Sequence, residues 1–174
     1  FISDVAEEHP DLQIMYGVGG ERDLTESTLD HLHGYDGARP VRIGNGAYDQ
    51  NQHDVWGAVL DSFYLHTKSR DGMPEEIWPI LKRQVHAAIE HWREADRGIW
   101  EVRGEPQHFT SSKVMCWVAL DRGARLARLR EDHELAAEWQ MIADEIHADI
   151  CERAVDERGV FTQHYDTTAL DASC

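Results

Sequence analysis

Apolar residues recur with a helical period in four successive segments of this 174-residue chain, and no other feature constrains its fold as strongly. Positions three and four residues apart share one face of an α-helix, so each segment predicts an amphipathic helix that buries that face. The predicted helices run from Asp49 to about Lys68, from Met73 to Trp92, from Ser111 or Ser112 to Leu129, and from Leu135 to a point before Gly159. We therefore expect an all-α fold.

The connections between these helices are short, which predicts two consecutive antiparallel hairpins. The four-residue turn Ser69–Gly72 closes the first hairpin, and the charged segment Arg130–Asp132 closes the second. Pro74 and the two acids after it suit the first turn of the second helix. A serine suits the cap of the third helix.

The N-terminal third follows a different pattern. Leu12–Val18 and Pro40–Gly44 are typical of short extended segments, and Glu21–Tyr35 is typical of a long connection. A content of 41% apolar residues is sufficient for one core. We expect a single domain over residues 1–174.

The charge balance argues against several classes of partner. The chain carries 33 acids against 17 lysines and arginines, a net charge of −16, which disfavours binding to nucleic acid or to an anionic membrane. It contains no apolar stretch of the ~18 residues that span a membrane, and its first residues do not have the pattern of a signal peptide. Its three cysteines form no CxxC pair, which indicates reduced thiols. We expect a cytoplasmic protein.

One loop between the second and third predicted helices combines an acid with an indole. In Gly98–Gly104, Glu101 directly follows Trp100, and glycines flank both. A sugar ring needs a flat apolar surface and a proton donor, and loops carried by rigid helices often supply catalytic groups. The alternative is a solvated loop acid beside a core tryptophan, since most polar loop residues do not catalyse.

Other clusters of reactive residue types have simpler explanations. Gly17–Gly20 is followed by no P-loop lysine and predicts a plain turn. Ser111 and Ser112 lie near His108 but lack a nucleophile elbow, so we interpret them as cap residues. Neither a metal site nor a cofactor is predicted, because no recognised ligand spacing connects the remaining candidates, which are His31, His33, His147, Cys151 and His164.

Three longer phrases resemble glycoside hydrolase family 15, the glucoamylase-like enzymes. They are Gly34–Asn45 (GYDGARPVRIGN), Gly98–Arg103 (GIWEVR) and His108–Arg122 (HFTSSKVMCWVALDR), and they occur in the family's order. The resemblance covers essentially the whole chain and is strongest to the bacterial branch that includes actinobacterial trehalases.

This resemblance implies an (α/α)6 toroid of helical hairpins that hydrolyses α-glucosidic bonds with inversion. The acid after the tryptophan of the GIWE phrase donates the proton in that family, which assigns the role of general acid to Glu101 and places Trp100 at the sugar. Inversion requires a second carboxylate ~6.5 to 9.5 Å away, and the acid requires a pKa raised by burial. Glu101 can fill only one of these two roles, that of the general acid.

The chain departs from the family pattern in several places. The Trp-Arg-Asp phrase that holds the non-reducing glucose is absent, and no residue after Glu101 reproduces the context of the general base. We therefore expect roughly half of a barrel, a catalytic domain truncated at both ends. Fungal members have a second Glu where this chain has Val102, and a Trp near the position of Tyr35. Candidate sugar contacts are Tyr35, Arg42, Asn45, Trp100 and Arg103, although the arginines equally suit ties between loops and helix ends.

Two functional hypotheses follow. The first is an inverting α-glucosidase with an α-glucoside as its partner, trehalose being favoured over maltooligosaccharides. The second is a non-catalytic helical module for binding or assembly. A cut barrel exposes apolar flanks, which favours self-association or a partner that carries the missing half.

Overall fold

The computed structural model of the protein describes residues 12–69 and 72–174. Its helices are α1 (Asp54–Ser69), α2 (Ile77–His91), α3 (Thr110–Leu129) and α4 (His133–Arg153), with a 3-10 turn at Tyr35–Gly37. Two short strands, β1 (Ser27–Thr28) and β2 (Arg42–Ile43), pair antiparallel. The predicted all-α fold is confirmed. Among the described residues, no helix is both long and apolar enough to cross a membrane.

The first helix begins later than its sequence pattern predicts. Residues 45–50 form two consecutive turns, in which Tyr48 N–H donates to Asn45 O and Gln50 N–H donates to Ala47 O. These turns direct the chain away from the helix axis, so α1 starts at Asp54 rather than Asp49. Arg70 and Asp71 of the predicted first hairpin turn lie outside the described residues.

The predicted serine cap of the third helix is wrong. The helix starts one residue earlier, at Thr110, and its cap residue is Phe109, whose side chain makes no capping hydrogen bond. The Thr110 N–H instead donates to the carbonyl of Gln163, and Ser112 Oγ donates to Asp96. Ser111 and Ser112 therefore lie inside the first turn of the helix, past the cap position.

The predicted extended segment Leu12–Val18 takes part in no sheet of the described structure. Its backbone pairs with no strand among the described residues, and Leu12 packs against the helical core instead. The second segment is a strand only at Arg42–Ile43, and its partner, β1, lies inside the predicted long connection. The turn predicted at Gly17–Gly20 is confirmed, since Gly20 N–H donates to Gly17 O.

Contacts between the helices define two layers. Gly57 and Asp61 of α1 lie beside Met115 and Arg122 of α3, so the two helices run parallel. Trp92 near the end of α2 accepts a hydrogen bond from Lys113 near the start of α3, so these two run antiparallel.

The second hairpin completes the arrangement. Gly123 of α3 packs on Trp139 of α4, and the ring centroids of Trp117 and His147 lie 5.9 Å apart. The two helices α3 and α4 are therefore antiparallel. Arg130 ends α3, and Asp132 caps α4 by accepting from Leu135 N–H. Two parallel helices, α1 and α3, therefore lie side by side, each antiparallel to the helix that follows it. This is the repeat expected of neighbouring hairpins in a helical toroid.

Candidate active site

Three loops meet at the end of the bundle where α1 and α3 begin. The segment before α1, the loop between α2 and α3, and the segment after α4 all lie here. Backbone bridges join Asp96 to Gln107 within the middle loop, and Phe109 to His164 of the last segment. Each helix hairpin thus contributes its open end to one surface, and Glu101 lies in that surface.

The backbone around Glu101 is a tight turn with an uncommon conformation. Glu101 N–H donates to Gly98 O at 3.2 Å, and Glu101 itself has a φ of 53°, in the left-handed region. Non-glycine residues in this region carry strain that surrounding contacts must compensate, and such residues concentrate at functional sites. Gly98 has a φ of 65° and lies against the ring of Phe109, where a Cβ would come within 2.8 Å. Only glycine fits that position.

The Glu101 carboxylate meets one of the predicted sugar contacts. Asn45 Nδ2 donates to Glu101 Oε2 at 3.3 Å, although the two residues are 56 positions apart. Both side chains are partly buried. A second hydrogen bond joins the segment before α1 to the Glu101 loop, because Gln50 Nε2 donates to Val102 O at 3.4 Å. The segment before α1 therefore lies directly beside the acid.

The two predicted arginines share one carboxylate. Arg42 Nε lies 3.2 Å from Glu26 Oε1, and an Arg103 terminal nitrogen lies 3.4 Å from Glu26 Oε2. Gly46 N–H also donates to Glu26 at 3.4 Å. Glu26 thus connects the β1–β2 hairpin to the loop that carries Glu101. In this arrangement both arginines tie loops together, and the side chains of Arg42 and Arg103 remain 51% and 68% exposed.

The remaining two predicted residues differ in their placement. Trp100 is 58% exposed beside Glu101, and its indole N–H donates to the carboxylate of Asp171. Tyr35 is 94% exposed on the 3-10 turn, and within the described part of the chain no contact joins it to Glu101 or Trp100. The structure thus brings together five of the six predicted site residues around one loop and leaves Tyr35 apart.

A buried polar layer supports this surface from below. Asp96 is 1% exposed, and its Oδ2 accepts from His53 N–H at 2.9 Å and from Ser112 Oγ at 2.7 Å. Beside it, the buried Lys113 Nζ donates to the carbonyls of Trp92 and Glu94, at the end of α2. Burial lowers the pKa of Lys113, and burial likewise lowers the pKa of His53 to about 4.

Three acids that organise the site escaped the sequence interpretation. Glu26, Asp96 and Asp171 each bind groups from other segments. Asp96 precedes Gly98 by two residues. An acid so close to the GIWE motif was the one sequence signal that could have identified a residue of this group. Glu26 and Asp171 lie in segments without a recognisable pattern, since their roles depend on contacts distant in sequence.

The histidine and cysteine candidates for metal binding do not assemble into a metal site in the described part of the chain. His147 and Cys151 approach each other on α4, with the sulfur 3.9 Å from the ring nitrogens. Within residues 12–69 and 72–174, no three His, Cys, Asp or Glu side chains converge in an arrangement that could hold a metal ion. Cys116 is buried, and all three cysteines are free.

This combination of paired helical hairpins and a carboxylate beside an exposed indole is typical of a helical-toroid glycosidase. The chain belongs to the family described as glycosyl hydrolases family 15, whose sequence model matches residues 3–174. It is 69% identical to a trehalase of Mycobacterium tuberculosis and 64% identical to a trehalase of Mycolicibacterium smegmatis, over 99% of this chain and 26% of each relative.

More distant relatives carry the same name. The chain is 35% identical to trehalase 2 of Sulfolobus acidocaldarius, over 95% of this chain and 28% of that protein. It therefore spans about a quarter of the length of the curated relatives that it matches. No solved structure matches it.

Proposed function

We propose that the protein hydrolyses α-glucosidic bonds with inversion, that trehalose is its favoured substrate, and that Glu101 is the general acid. One observation carries this proposal: the Glu101 carboxylate lies at the meeting point of three loops, in contact with Asn45 and directly after the exposed Trp100. An open surface with an acid, an amide and an indole suits a sugar, which offers hydroxyl groups and an apolar ring face. The naming of the relatives as trehalases favours trehalose over maltooligosaccharides.

Each residue of the site has a proposed role. Glu101 protonates the leaving glycosidic oxygen, and the Asn45 amide orients its carboxyl group. Trp100 offers its ring to the sugar, while the guanidinium groups of Arg42 and Arg103 donate to sugar hydroxyls. Tyr35 stays a predicted sugar contact.

The general base is assigned to no residue of this chain. We propose that the two hairpins form part of a toroidal catalytic domain, with inner helices α1 and α3. The cytoplasmic location stays a prediction. The covering of the exposed apolar flanks, by self-association or by a partner that carries the missing half, also stays a prediction.

Replacement of the proposed acid tests the assignment. In the complete protein, Glu101→Gln removes the proton donor while keeping the shape of the side chain, so we expect the rate of glucose release from trehalose to fall by ~10²- to 10⁴-fold. Trehalose binding, measured by calorimetry, should remain within about threefold of wild type, because binding does not use the proton. The matched control is Glu105→Gln, which changes an exposed acid of the same loop. A near-normal rate in Glu101→Gln would contradict the proposal.

The stereochemistry of the product tests inversion separately. Trehalose joins two glucose units through both anomeric carbons in the α configuration. Inverting hydrolysis therefore releases one β-glucose and one α-glucose, whereas retaining hydrolysis releases two α-glucose molecules. Proton NMR during the first minutes distinguishes these outcomes, and an initial product without β-glucose rules out inversion. Parallel assays with maltose compare the two substrate classes through kcat/KM.

A further inference from the structure

The indole of Trp100 is held by a carboxylate that lies 71 residues further along the chain. The Nε1 atom lies 2.8 Å from Asp171 Oδ1 and 3.0 Å from Asp171 Oδ2, and its N–H therefore donates to both oxygens. More than half of the tryptophan surface is nevertheless exposed. The polar edge of the ring is thus fixed to the protein while much of its surface stays free for a ligand.

Asp171 is itself held in place from several directions. Ser173 donates to Oδ1 through its backbone N–H at 2.7 Å and through its hydroxyl at 2.6 Å, and Gln163 Nε2 donates to Oδ2 at 2.9 Å. Partial burial raises the pKa of this carboxyl, but hydrogen bonds from Ser173, Trp100 and Gln163 outweigh burial and lower the pKa to about 2. The group is therefore an anion with a defined orientation at any neutral pH, and it offers Trp100 a strong acceptor.

The position of Trp100 is linked to that of Glu101 through the turn they share. Glu101 N–H donates to Gly98 O across Trp100, and Gly98 lies against Phe109 at the start of α3. A ring held at its outer edge restricts the rotation of this short turn. An exposed tryptophan without that contact would sample several rotamers, and binding of a ligand would have to select one.

We propose that Asp171 is a positioning residue, which holds the Trp100 ring in the orientation that receives the sugar beside Glu101. It acts through the indole N–H and does not touch the substrate. This inference rests on the proposed function of the Glu101 loop, and it adds a residue that neither the sequence motifs nor the relatives assign. Its removal should weaken substrate binding more than it slows the chemical step.

A double-mutant cycle between Trp100 and Asp171 tests the proposal in the complete protein. Asp171→Ala should raise KM for trehalose by about 5- to 10-fold with a smaller change in kcat, because the ring loses its preferred orientation. Trp100→Phe keeps an aromatic face but removes the N–H donor. In that background Asp171→Ala should change KM by less than about twofold, because the contact is already absent. Equal effects of Asp171→Ala in both backgrounds would overturn the proposal.

Further variants keep the test decisive. Thr168→Ala, a change at an exposed residue of the same C-terminal segment, is the matched control, and we expect wild-type KM; a rise as large as that of Asp171→Ala would count against the proposal. If Asp171→Ala does not fold, Asp171→Asn retains the size and one acceptor oxygen. Its smaller rise in KM should again vanish in the Trp100→Phe background. Persistence of that rise would count against the proposed positioning role of Asp171.

A spectroscopic measurement separates this proposal from the proposed function. Failure of the wild-type protein to hydrolyse any α-glucoside would refute the function alone. Acrylamide quenching of Trp100, obtained as the difference between proteins with Trp100 and with Phe at that position, reports on the ring without any substrate. We expect Asp171→Ala to increase this quenching, and unchanged quenching would refute the proposed positioning role of Asp171.

Discussion

At the scale of single residues, His53 shows how the site couples to pH. It is 3% exposed, stacks on Trp56 with ring centroids 4.9 Å apart, and its Nδ1 has no hydrogen-bond partner in the described structure. Burial lowers its pKa from 6.5 to about 4, while the Asp96 carboxylate opposes this to a smaller extent. The ring is therefore neutral in the folded protein near neutral pH.

This buried histidine predicts a loss of stability on mild acidification. Below pH 6.5 the unfolded chain binds a proton at His53 that the folded protein does not bind until about pH 4, so the free energy of unfolding falls as pH falls through that window. The slope from one such group is at most about 1.4 kcal/mol per pH unit. Burial raises the pKa of Asp54, which has the opposite effect just above pH 3.8, so the clearest range is pH 5 to 6.5.

Urea denaturation at several pH values measures this slope. We expect His53→Phe, which keeps a ring to stack on Trp56, to flatten it between pH 5 and 6.5. His66→Gln, a change at an exposed histidine of α1, should leave it unchanged. If the slope in His53→Phe equals that of the wild type, groups other than His53 dominate the pH dependence of stability. Lys113, His91 and Glu94 are neighbouring titratable groups that also act on this ring.

At the scale of secondary-structure elements, one buried carboxylate joins the starts of two helices. Asp96 accepts from the N–H of His53, which directly precedes α1, and from Ser112 in the first turn of α3. Helix N-termini carry partial positive charge and unsatisfied N–H groups, so an anion placed between two of them is stabilised by both. This arrangement fixes the loop that carries Glu101 relative to the bundle.

Removal of this carboxylate should therefore destabilise the whole bundle end. We expect Asp96→Ala to lower the free energy of unfolding by roughly 2 to 4 kcal/mol, since it leaves buried donors without a partner. Ser112→Ala, which removes only one donor, should cost about 1 kcal/mol. Asp49→Ala, at an exposed acid before α1, is the control with little effect expected. If Asp96→Ala costs no more than Ser112→Ala in urea denaturation, the carboxylate does not hold the two helices.

At the scale of the whole molecule, the parallel pairing of α1 and α3 depends on a close approach of their backbones. Gly57 of α1 faces Met115 of α3, and a Cβ at position 57 would lie 2.8 Å from the Met115 carbonyl carbon and still closer to its oxygen. Backbone atoms cannot move aside as a flexible side chain can. The absence of a side chain at Gly57 thus sets the distance between the two helices whose starts frame the site.

Gly57→Ala tests this close approach. Alanine favours the helix by about 1 kcal/mol, but the clash should outweigh that gain and lower the free energy of unfolding by roughly 1 to 3 kcal/mol. Gly104→Ala is the control, because a Cβ there meets no atom nearer than 3.6 Å. A neutral or stabilising Gly57→Ala in thermal and urea denaturation would mean that the helices are not packed this closely.

The helices and their connections were largely predictable from local pattern, and the exceptions have physical causes. Apolar spacing located all four helices, but turns at residues 45–50 delayed α1, and α3 begins at Thr110, paired with Gln163, so that both serines lie past the cap position. Leu12–Val18 has the composition of a strand, but Leu12 packs against the helical core, and no strand of the described residues pairs with the segment. The exceptions at α3 and at Leu12–Val18 involve contacts with residues distant in sequence, whereas the turns before α1 are local.

Local sequence pattern is sufficient to predict the helical periods, the two hairpins and the loop that places Glu101 after Trp100, because these depend on residues a few positions apart. The surroundings of that loop depend on tertiary contacts. Asn45 reaches Glu101 across 56 residues, Asp171 reaches Trp100 across 71, and Glu26 reaches Arg103 across 77. Hydrogen bonds of this kind depend on how the hairpins pack side by side, and that packing sums many weak contacts that no local pattern encodes.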